Sequence, residues 1–142
     1  MAESLNFTIQ LPVYPERVYR AWLDGGELGK ITGKPAKVES RDGGKFSALN
    51  GGVEGEILSR TPHDKIVQSW RTSDFPAGSQ ASNVELRFEP TCTGTELVLN
   101  HTGIPDGMSQ KMLSLWENEI LRPISRYFDE LVGEYVADMG DG

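Results

Sequence analysis

The sequence predicts an α+β protein in which a curved antiparallel sheet of about six or seven strands wraps around one long C-terminal helix. Two observations carry this prediction. Apolar residues near the C-terminus follow a helical period, and nearly everything before them consists of strand-length runs separated by turn residues. A helix with a wide apolar face needs a partner surface, and here only the strands can supply one.

The long helix is expected over residues 108–136. Its apolar residues recur mostly four apart and once three apart, which is the spacing of one helix face. They are Met112, Trp116, Ile120, Ile124, Tyr127, Leu131 and Tyr135. Pro123 lacks an N–H group, and its ring would clash with the carbonyl of Glu119, so the sequence predicts a kink between Glu119 and Arg122.

The N-terminal part predicts one strand and two short helices. Apolar and polar residues alternate in a half-buried first strand that Pro12 ends: Leu5, Phe7, Ile9 and Leu11. Pro15 suits the first turn of a helix that runs to about Leu23 and is stopped by Gly25-Gly26. Leu28 and Ile31 indicate a second, very short helical turn.

Turn residues recur at strand-like intervals from Lys34 onward. Asp42-Gly43-Gly44 and Asn50-Gly51-Gly52 predict tight hairpin turns, because these residues tolerate positive φ. The strands expected around and after these turns are one ending near Ser40, one from Phe46 to Leu49, Val53–Arg60, Lys65–Thr72, Val84–Phe88 and a partner strand through Leu97, Leu99 and His101. Gly55 lies inside a strand, which predicts a bulge or a close approach of another group.

The composition restricts the class of protein. A chain of 142 residues favours one domain, covering residues 1–142. The net charge of −7 and the pI near 4.8 argue against a nucleic-acid partner, which would require a basic face. No apolar run reaches the roughly 18 residues of a membrane span. Cys92 is the only cysteine and the first residues do not resemble a signal peptide, so we expect a cytoplasmic protein.

Short motifs in a fixed order carry a resemblance to a known family. They are Gly43-Gly44-Lys45-Phe46, Gly51–Glu56, Thr61-Pro62, Ile66-Val67, Trp70-Arg71, Val84–Phe88, Gly94–Leu97, Gly103-Ile104-Pro105 and Trp116. Their order and spacing, from about Phe7 to Phe128, resemble the homologues of the activator of heat shock protein 90 ATPase, within the START-like (SRPBCC) superfamily. Pro76-Ala77-Gly78 and the run Ile120–Ile124 are similar to the activator's C-terminal domain.

This resemblance implies the helix-grip fold, in which the sheet holds the helix and a cavity can lie between them. It also implies a non-enzymatic, co-chaperone-like function: binding a heat shock protein 90-type chaperone and activating its ATPase. The activator carries another domain ahead of this one, and these 142 residues contain no counterpart. We therefore expect weak chaperone binding with little stimulation, because one contact forgoes the gain from two linked contacts.

A mostly apolar cavity between helix and sheet is the candidate site, and an apolar small molecule is the ligand it would take. The residues predicted to line it are Trp22, Phe46, Gln68, Trp70, Leu86, Leu99, His101, Met112, Trp116 and Ile120. The three tryptophans among them are expected either to fill the core or to line a pocket.

His101 is the candidate for chemistry inside the fold. It follows Leu97 and Leu99 on the inward face, where it is either a cavity acid or base or a histidine hydrogen-bonded near a strand end. Only Gln68 accompanies it as an inward polar residue, so we expect no enzyme activity. His63 and Cys92 lie in turns, no cluster has the spacing of a zinc site, and neither Gly43-Gly44 nor Gly51-Gly52 opens a helix. The sequence therefore predicts no cofactor.

Two functions remain open at this point. The first is a non-enzymatic chaperone-binding protein that acts through its surface, its cavity or both. The second is a START-like binder of a small molecule or lipid, or a cavity enzyme that uses His101.

Overall fold

The computed structural model describes the backbone of residues 2–140 and the side chains of residues 2–133. It confirms the predicted α+β class. The strands are β1 (Glu3–Leu11), β2 (Lys37–Val38), β3 (Lys45–Ala48), β4 (Val53–Thr61), β5 (Lys65–Thr72), β6 (Ser82–Thr91) and β7 (Gly94–Ile104). Two helices, α1 (Pro15–Trp22) and α2 (Gly25–Thr32), follow β1. The C-terminal helix consists of α3 (Ser109–Ser114), a π-helical segment (Leu115–Leu121) and α4 (Arg122–Gly140).

All seven strands form one antiparallel sheet in the order β1-β7-β6-β5-β4-β3-β2. Consecutive strands from β2 to β7 are neighbours, as expected from the short turns between them. The one long-range pairing joins β1 to β7, with Phe7 opposite Leu99. The two outer strands are therefore β1 and the very short β2.

The segment Gly25-Gly26 differs from its prediction. These glycines were expected to stop the first helix, but they form the first turn of α2, which has 8 residues rather than a single short turn. Asp24 supplies the reason, because its side chain accepts a hydrogen bond from the Glu27 backbone N–H at 3.0 Å and caps the new helix. A Cβ on Gly25 would lie 3.0 Å from the Ala36 carbonyl oxygen, so a small residue also lets the next segment approach closely.

The C-terminal helix is irregular where the kink was predicted. The residues before Pro123 form π-helical turns, and the Arg122 N–H bonds the carbonyl of Glu117, five residues earlier. Because Pro123 cannot donate to the carbonyl of Glu119, the helix changes its hydrogen-bond pattern one turn before the proline. Tyr135, the last residue of the predicted stripe, lies beyond the described side chains. None of the helices in the described part is long and apolar enough to cross a membrane.

The core lies between the inward face of the sheet and this helix. Along β5, burial alternates strictly, and Ile66, Gln68 and Trp70 are buried as their two-residue period predicts. Gly55 faces the same interior, and a Cβ there would lie 2.2 Å from the Ser69 carbonyl oxygen and 2.9 Å from the Phe46 ring. The predicted close approach at Gly55 is therefore confirmed.

Three indole rings form the centre of the core. The ring of Trp116 lies between the other two, with ring centroids 4.5 Å from Trp70 and 6.3 Å from Trp22, and with interplanar angles of 22° and 17°. Trp116 comes from the π-helical segment, Trp70 from β5 and Trp22 from α1. One stack therefore joins the helix, the sheet and the N-terminal helices.

A second connection ties the C-terminal helix to α1 and α2. The Arg17 guanidinium donates two hydrogen bonds to the Glu27 carboxylate, one of them at 2.8 Å. The Tyr127 hydroxyl donates to the same carboxylate at 2.6 Å. Arg17 also lies over the ring of Phe128, 5.4 Å from its centroid. Both side chains of this ion pair are partly buried, with exposed fractions of 26% and 19%, so solvent screens the contact less than it screens an ordinary surface pair.

The Glu27 cluster makes stability depend on pH. Hydrogen bonds from Arg17 outweigh the effect of burial and, with the Tyr127 hydroxyl, hold the pKa of Glu27 below its usual 4.5. A lowered folded pKa contributes stability that is present above the unfolded pKa and lost as the pH falls through the folded value. Glu27→Gln should therefore lower the free energy of unfolding by about 1–3 kcal/mol at neutral pH.

Urea denaturation between about pH 3 and pH 7 measures this effect. The difference between wild type and Glu27→Gln should shrink below pH 4.5. The control is Glu16→Gln, an exposed change on α1, which should alter stability by less than about 0.5 kcal/mol. A Glu27→Gln effect that stays constant down to the lowest pH would contradict the assignment.

The indole stack generates a second prediction. Trp116 is completely buried, and Trp116→Ala removes the middle ring, so it should cost roughly 3–5 kcal/mol of unfolding free energy. Leu58→Ala serves as the control, because Leu58 is 50% exposed and its truncation should cost less than about 0.5 kcal/mol. A loss below about 1 kcal/mol for Trp116→Ala would show that the ring does not support the core.

Candidate functional site

All ten residues predicted to line a cavity are buried on the inner side of the fold. Five of them surround one small internal cavity: Trp22, Phe46, Gln68, Trp70 and Ile120. Trp116 and His101 contact Trp70 from the other side. Leu86, Leu99 and Met112 are core residues that do not border this cavity. The fold therefore brings the ten predicted residues together in the core, and five of them line the small internal cavity.

The residual cavity has a volume of about 10 Å³. This is the space that one water molecule needs. The other residues around it come mainly from α2 and the strands β2–β4: Leu23, Leu28, Thr32, Val38, Ala48 and Ile57. Sequence periodicity missed them because α2 was predicted to be only one short turn and β2 has only two residues. An apolar ligand of several carbon atoms does not fit between helix and sheet in this conformation.

His101 has both ring nitrogens engaged. The Trp116 indole Nε1–H donates to His101 Nδ1 at 2.9 Å, and His101 Nε2 lies 2.7 Å from Ser82 Oγ. Ser82 Oγ in turn donates to the Trp70 carbonyl oxygen at 2.6 Å. Indole is only a donor, so Nδ1 must accept, and the neutral ring carries its proton on Nε2, which donates to Ser82. The histidine therefore joins the helix to two strands of the sheet.

This arrangement does not favour catalysis. A histidine activates a serine only when it accepts the hydroxyl proton, but here His101 Nε2 is the donor and the Ser82 proton points to a backbone carbonyl. His101 is fully buried and Ser82 nearly so, so a substrate cannot reach either group in this conformation. Burial also lowers the pKa of His101 from 6.5 to about 4, which keeps the ring neutral. The geometry fits the hydrogen-bonded, structural alternative for His101.

Gln68, the second inward polar candidate, is also occupied. Its Oε1 accepts a hydrogen bond from the Trp22 indole N–H at 2.8 Å. The indole N–H of Trp70, by contrast, is buried without a hydrogen-bond partner. The two polar residues of the predicted site thus each fix one tryptophan. Ser82 was missed, although it continues the inward alternation of Val84, Leu86 and Phe88 by one step.

The remaining candidates lie outside the core. Cys92 is exposed in the turn between β6 and β7. His63 is also exposed, in a turn with φ of 63°, and its ring packs edge-on against Tyr19 with centroids 5.5 Å apart. Among the described residues, no group of three or more His, Cys, Asp and Glu side chains could hold a metal ion.

The outward face of the sheet is polar and carries charges of both signs. Lys45 lies opposite Glu56, and Glu54 lies opposite Arg71, in the registers of β3–β4 and β4–β5. The Arg71 guanidinium also donates to the carbonyl oxygens of Pro76 and Ser79, which holds the loop between β5 and β6. This face is an exposed, charged surface with a shallow, open depression lined by Lys45, Glu56 and Arg71.

The buried histidine generates a prediction with a defined pH window. A depressed folded pKa contributes stability that is present above the unfolded pKa of 6.5 and is lost as the pH falls toward about 4. From these two values, the wild type should lose about 2 kcal/mol of unfolding free energy between pH 7 and pH 5 through His101 alone. His101→Gln should remove this loss, while His63→Gln, the exposed control, should retain it. An identical pH profile for wild type and His101→Gln, measured by urea denaturation, would contradict the prediction.

Comparison with known proteins agrees with this geometry. Residues 12–129 match the model of the family described as "Activator of Hsp90 ATPase homolog 1-like protein". The activator of 90 kDa heat shock protein ATPase homolog 2 of Mus musculus is 28% identical over 130 residues, 92% of this chain and 37% of that protein. Homolog 1 of Homo sapiens is 31% identical over 114 residues, 80% of this chain and 33% of that protein.

A solved structure, that of an HSP90 activator from Plasmodium falciparum, superposes with a TM-score of 0.78 at 28% identity, covering 85% of this chain and 92% of that chain. This chain spans about a third of the length of the two curated relatives. The seven-stranded sheet, the two short helices after β1 and the long C-terminal helix are the START-like helix-grip arrangement. The chain belongs to the family of activator of Hsp90 ATPase homologues.

Proposed function

We propose that this protein acts by binding another protein through its surface and that it is not an enzyme. The observation that carries the proposal is the filled interior, where the indole stack leaves a cavity of about 10 Å³. His101, the buried acid–base candidate among the described residues, is kept neutral by its burial, and Trp116 and Ser82 engage its two ring nitrogens. We therefore assign the proposed function to the surface, because the interior has neither room for a substrate nor a side chain free for catalysis.

The proposed partner is a heat shock protein 90-type chaperone. Family membership supports this partner, since the relatives are named as activators of its ATPase. The chain spans about a third of the length of those relatives, and we propose that this domain by itself supplies a single contact with the chaperone. Two linked contacts commonly gain a factor of about 10²–10⁴ in apparent affinity. The proposal is therefore weak binding with little stimulation of the ATPase.

Charge adds a second expectation. A protein of net charge −7 is attracted to a basic patch of its partner, and this attraction weakens as salt screens it. A small-molecule function is less well supported, because the core would have to open before an apolar ligand could enter. The cavity lined by Trp22, Gln68 and Trp70 has room for about one water molecule.

A chaperone ATPase assay with this protein in large excess, run at low and high salt, tests the proposal. We expect saturation only at high concentration, stimulation far below that of a full-length activator, and weaker binding at high salt. Strong stimulation at low micromolar concentration would contradict the single-contact argument. Absence of binding at every salt concentration would contradict the proposed partner.

A pair of variants with equal net charge locates the contact. Glu54→Gln with Glu56→Gln neutralises two exposed acidic residues of β4, whereas Glu16→Gln with Asp64→Asn neutralises two exposed residues on α1 and in the turn between β4 and β5. Both pairs change the net charge from −7 to −5. If the outer sheet face binds the chaperone, only the first pair weakens binding. If the association depends on overall charge alone, both pairs weaken it equally.

A further inference from the structure

The outer edge of β1 is open. This strand has 9 residues and pairs only with β7, at one end of the sheet. No other strand of the described chain covers its second edge. An open edge presents unpaired N–H and C=O groups, and proteins usually protect it with charged residues or proline. From Ser4 to Leu11 the strand contains neither. It is therefore ready to pair with another extended chain.

A groove separates this edge from the C-terminal helix. Phe7, Thr8 and Ile9 line it on the strand side, and Leu121 and Ser125 lie on the helix side. Its volume is about 660 Å³, far larger than the internal cavity. Phe7 and Ile9 are only partly buried, so the groove combines backbone hydrogen-bonding groups with apolar side chains. This combination suits an added strand, in which alternate side chains point to the same face.

The charges along the helix side follow a pattern. Glu117 lies toward one end, Arg122 and Arg126 lie in the middle, and Asp129 and Glu130 lie toward the other end. Both arginines are exposed, and neither forms an ion pair with any described residue. Residues four apart on a helix are about 6 Å apart along its axis, close to the roughly 6.6 Å between alternate residues of a strand. Two acidic side chains at alternate positions of an added strand therefore match the spacing of the two arginines.

We propose that this groove binds an extended segment of a partner protein that pairs with the edge of β1 and carries acidic residues at its centre. The proposal deepens the protein-binding function proposed above, and rests on it for the identity of the partner. A second copy of this chain suits the groove less well, because a two-fold interface places the same central residues opposite each other. In that arrangement β1 of the second copy enters the groove, and its uncharged residues Ser4–Leu11 would meet the two arginines.

Synthetic peptides test the proposal without the chaperone. The first probe is a capped eight-residue peptide of valine and threonine with two aspartates at alternate central positions and one lysine near each end. Its matched control has the same composition, with lysines at the centre and aspartates at the ends, so both peptides have no net charge. A third peptide is the first one with N-methylated alternate backbone amides, which cannot pair with a strand edge. Binding is measured by titration with NMR detection of the β1 amides.

We expect the acid-centred peptide to bind about tenfold more tightly than the charge-swapped peptide and the N-methylated peptide. Arg122→Glu combined with Arg126→Glu should reverse the preference between the first two. Arg20→Glu combined with Lys30→Glu, the same charge change at exposed positions of α1 and α2, should preserve it. Circular dichroism checks that each variant is folded, and the peptide controls on the wild type do not depend on the variants.

Several outcomes would overturn the proposal. Equal binding of the acid-centred and charge-swapped peptides excludes the arginine contact, and equal binding of the N-methylated peptide excludes strand pairing. A concentration-dependent dimer that shifts the β1 amides without peptide assigns the edge to a second copy. Peptide binding together with a negative chaperone assay would support the groove as a binding site and contradict the chaperone as its partner. Chaperone binding with no peptide binding would contradict the groove as a binding site and leave the proposed chaperone partner supported.

Discussion

The contact of Trp116 with the sheet is the interaction on which the rest of this structure depends. Its ring packs between Trp70 and Trp22, and its N–H bonds His101 of β7. A helix with one apolar face gains little by itself, since most helical stability in proteins comes from packing. Here one side chain meets the sheet, the N-terminal helices and a buried polar network. The indole stack therefore fixes how the helix sits in the sheet.

The same contact decides what the interior can do. In this fold a curved sheet around a helix can enclose a ligand, but three stacked indoles occupy the space. A buried histidine could act as a base, but the Trp116 N–H fixes the tautomer of His101. The N–H of His101 Nε2 then donates a hydrogen bond to Ser82 Oγ. Polar groups buried this way are satisfied and rigid. The interior is a packed core, so a binding function would have to use the surface.

Two surfaces of this protein are candidates for binding a partner: the outer face of the sheet and the edge of β1. The outer face of the sheet carries charges of both signs, while β1 from Ser4 to Leu11 carries none and faces a groove with two arginines that form no ion pair with a described residue. The irregular helix helps to shape that groove. Leu121 ends the π-helical segment and Arg122 begins α4, so the residues beside β1 lie where the hydrogen-bond pattern changes. A regular helix would turn these side chains differently, because side chains repeat every 3.6 residues only in α-geometry.

The sequence by itself determined the α+β class, the strands β1 and β3 to β7, and the inward side of β1, β5, β6 and β7, because alternation and turn chemistry are local. The ten residues that it named for the candidate site are all buried, because helical and strand periods identify the inward faces. Only the tertiary structure decided that they fill the space rather than line it, since packing depends on how distant rings meet. The Trp116–His101–Ser82 chain, the Arg17–Glu27–Tyr127 cluster and the start of α2 at Gly25 also needed the fold. The first two depend on residues that only the folded chain brings together. The third depends on the Asp24 cap, which outweighs the low helix propensity of glycine.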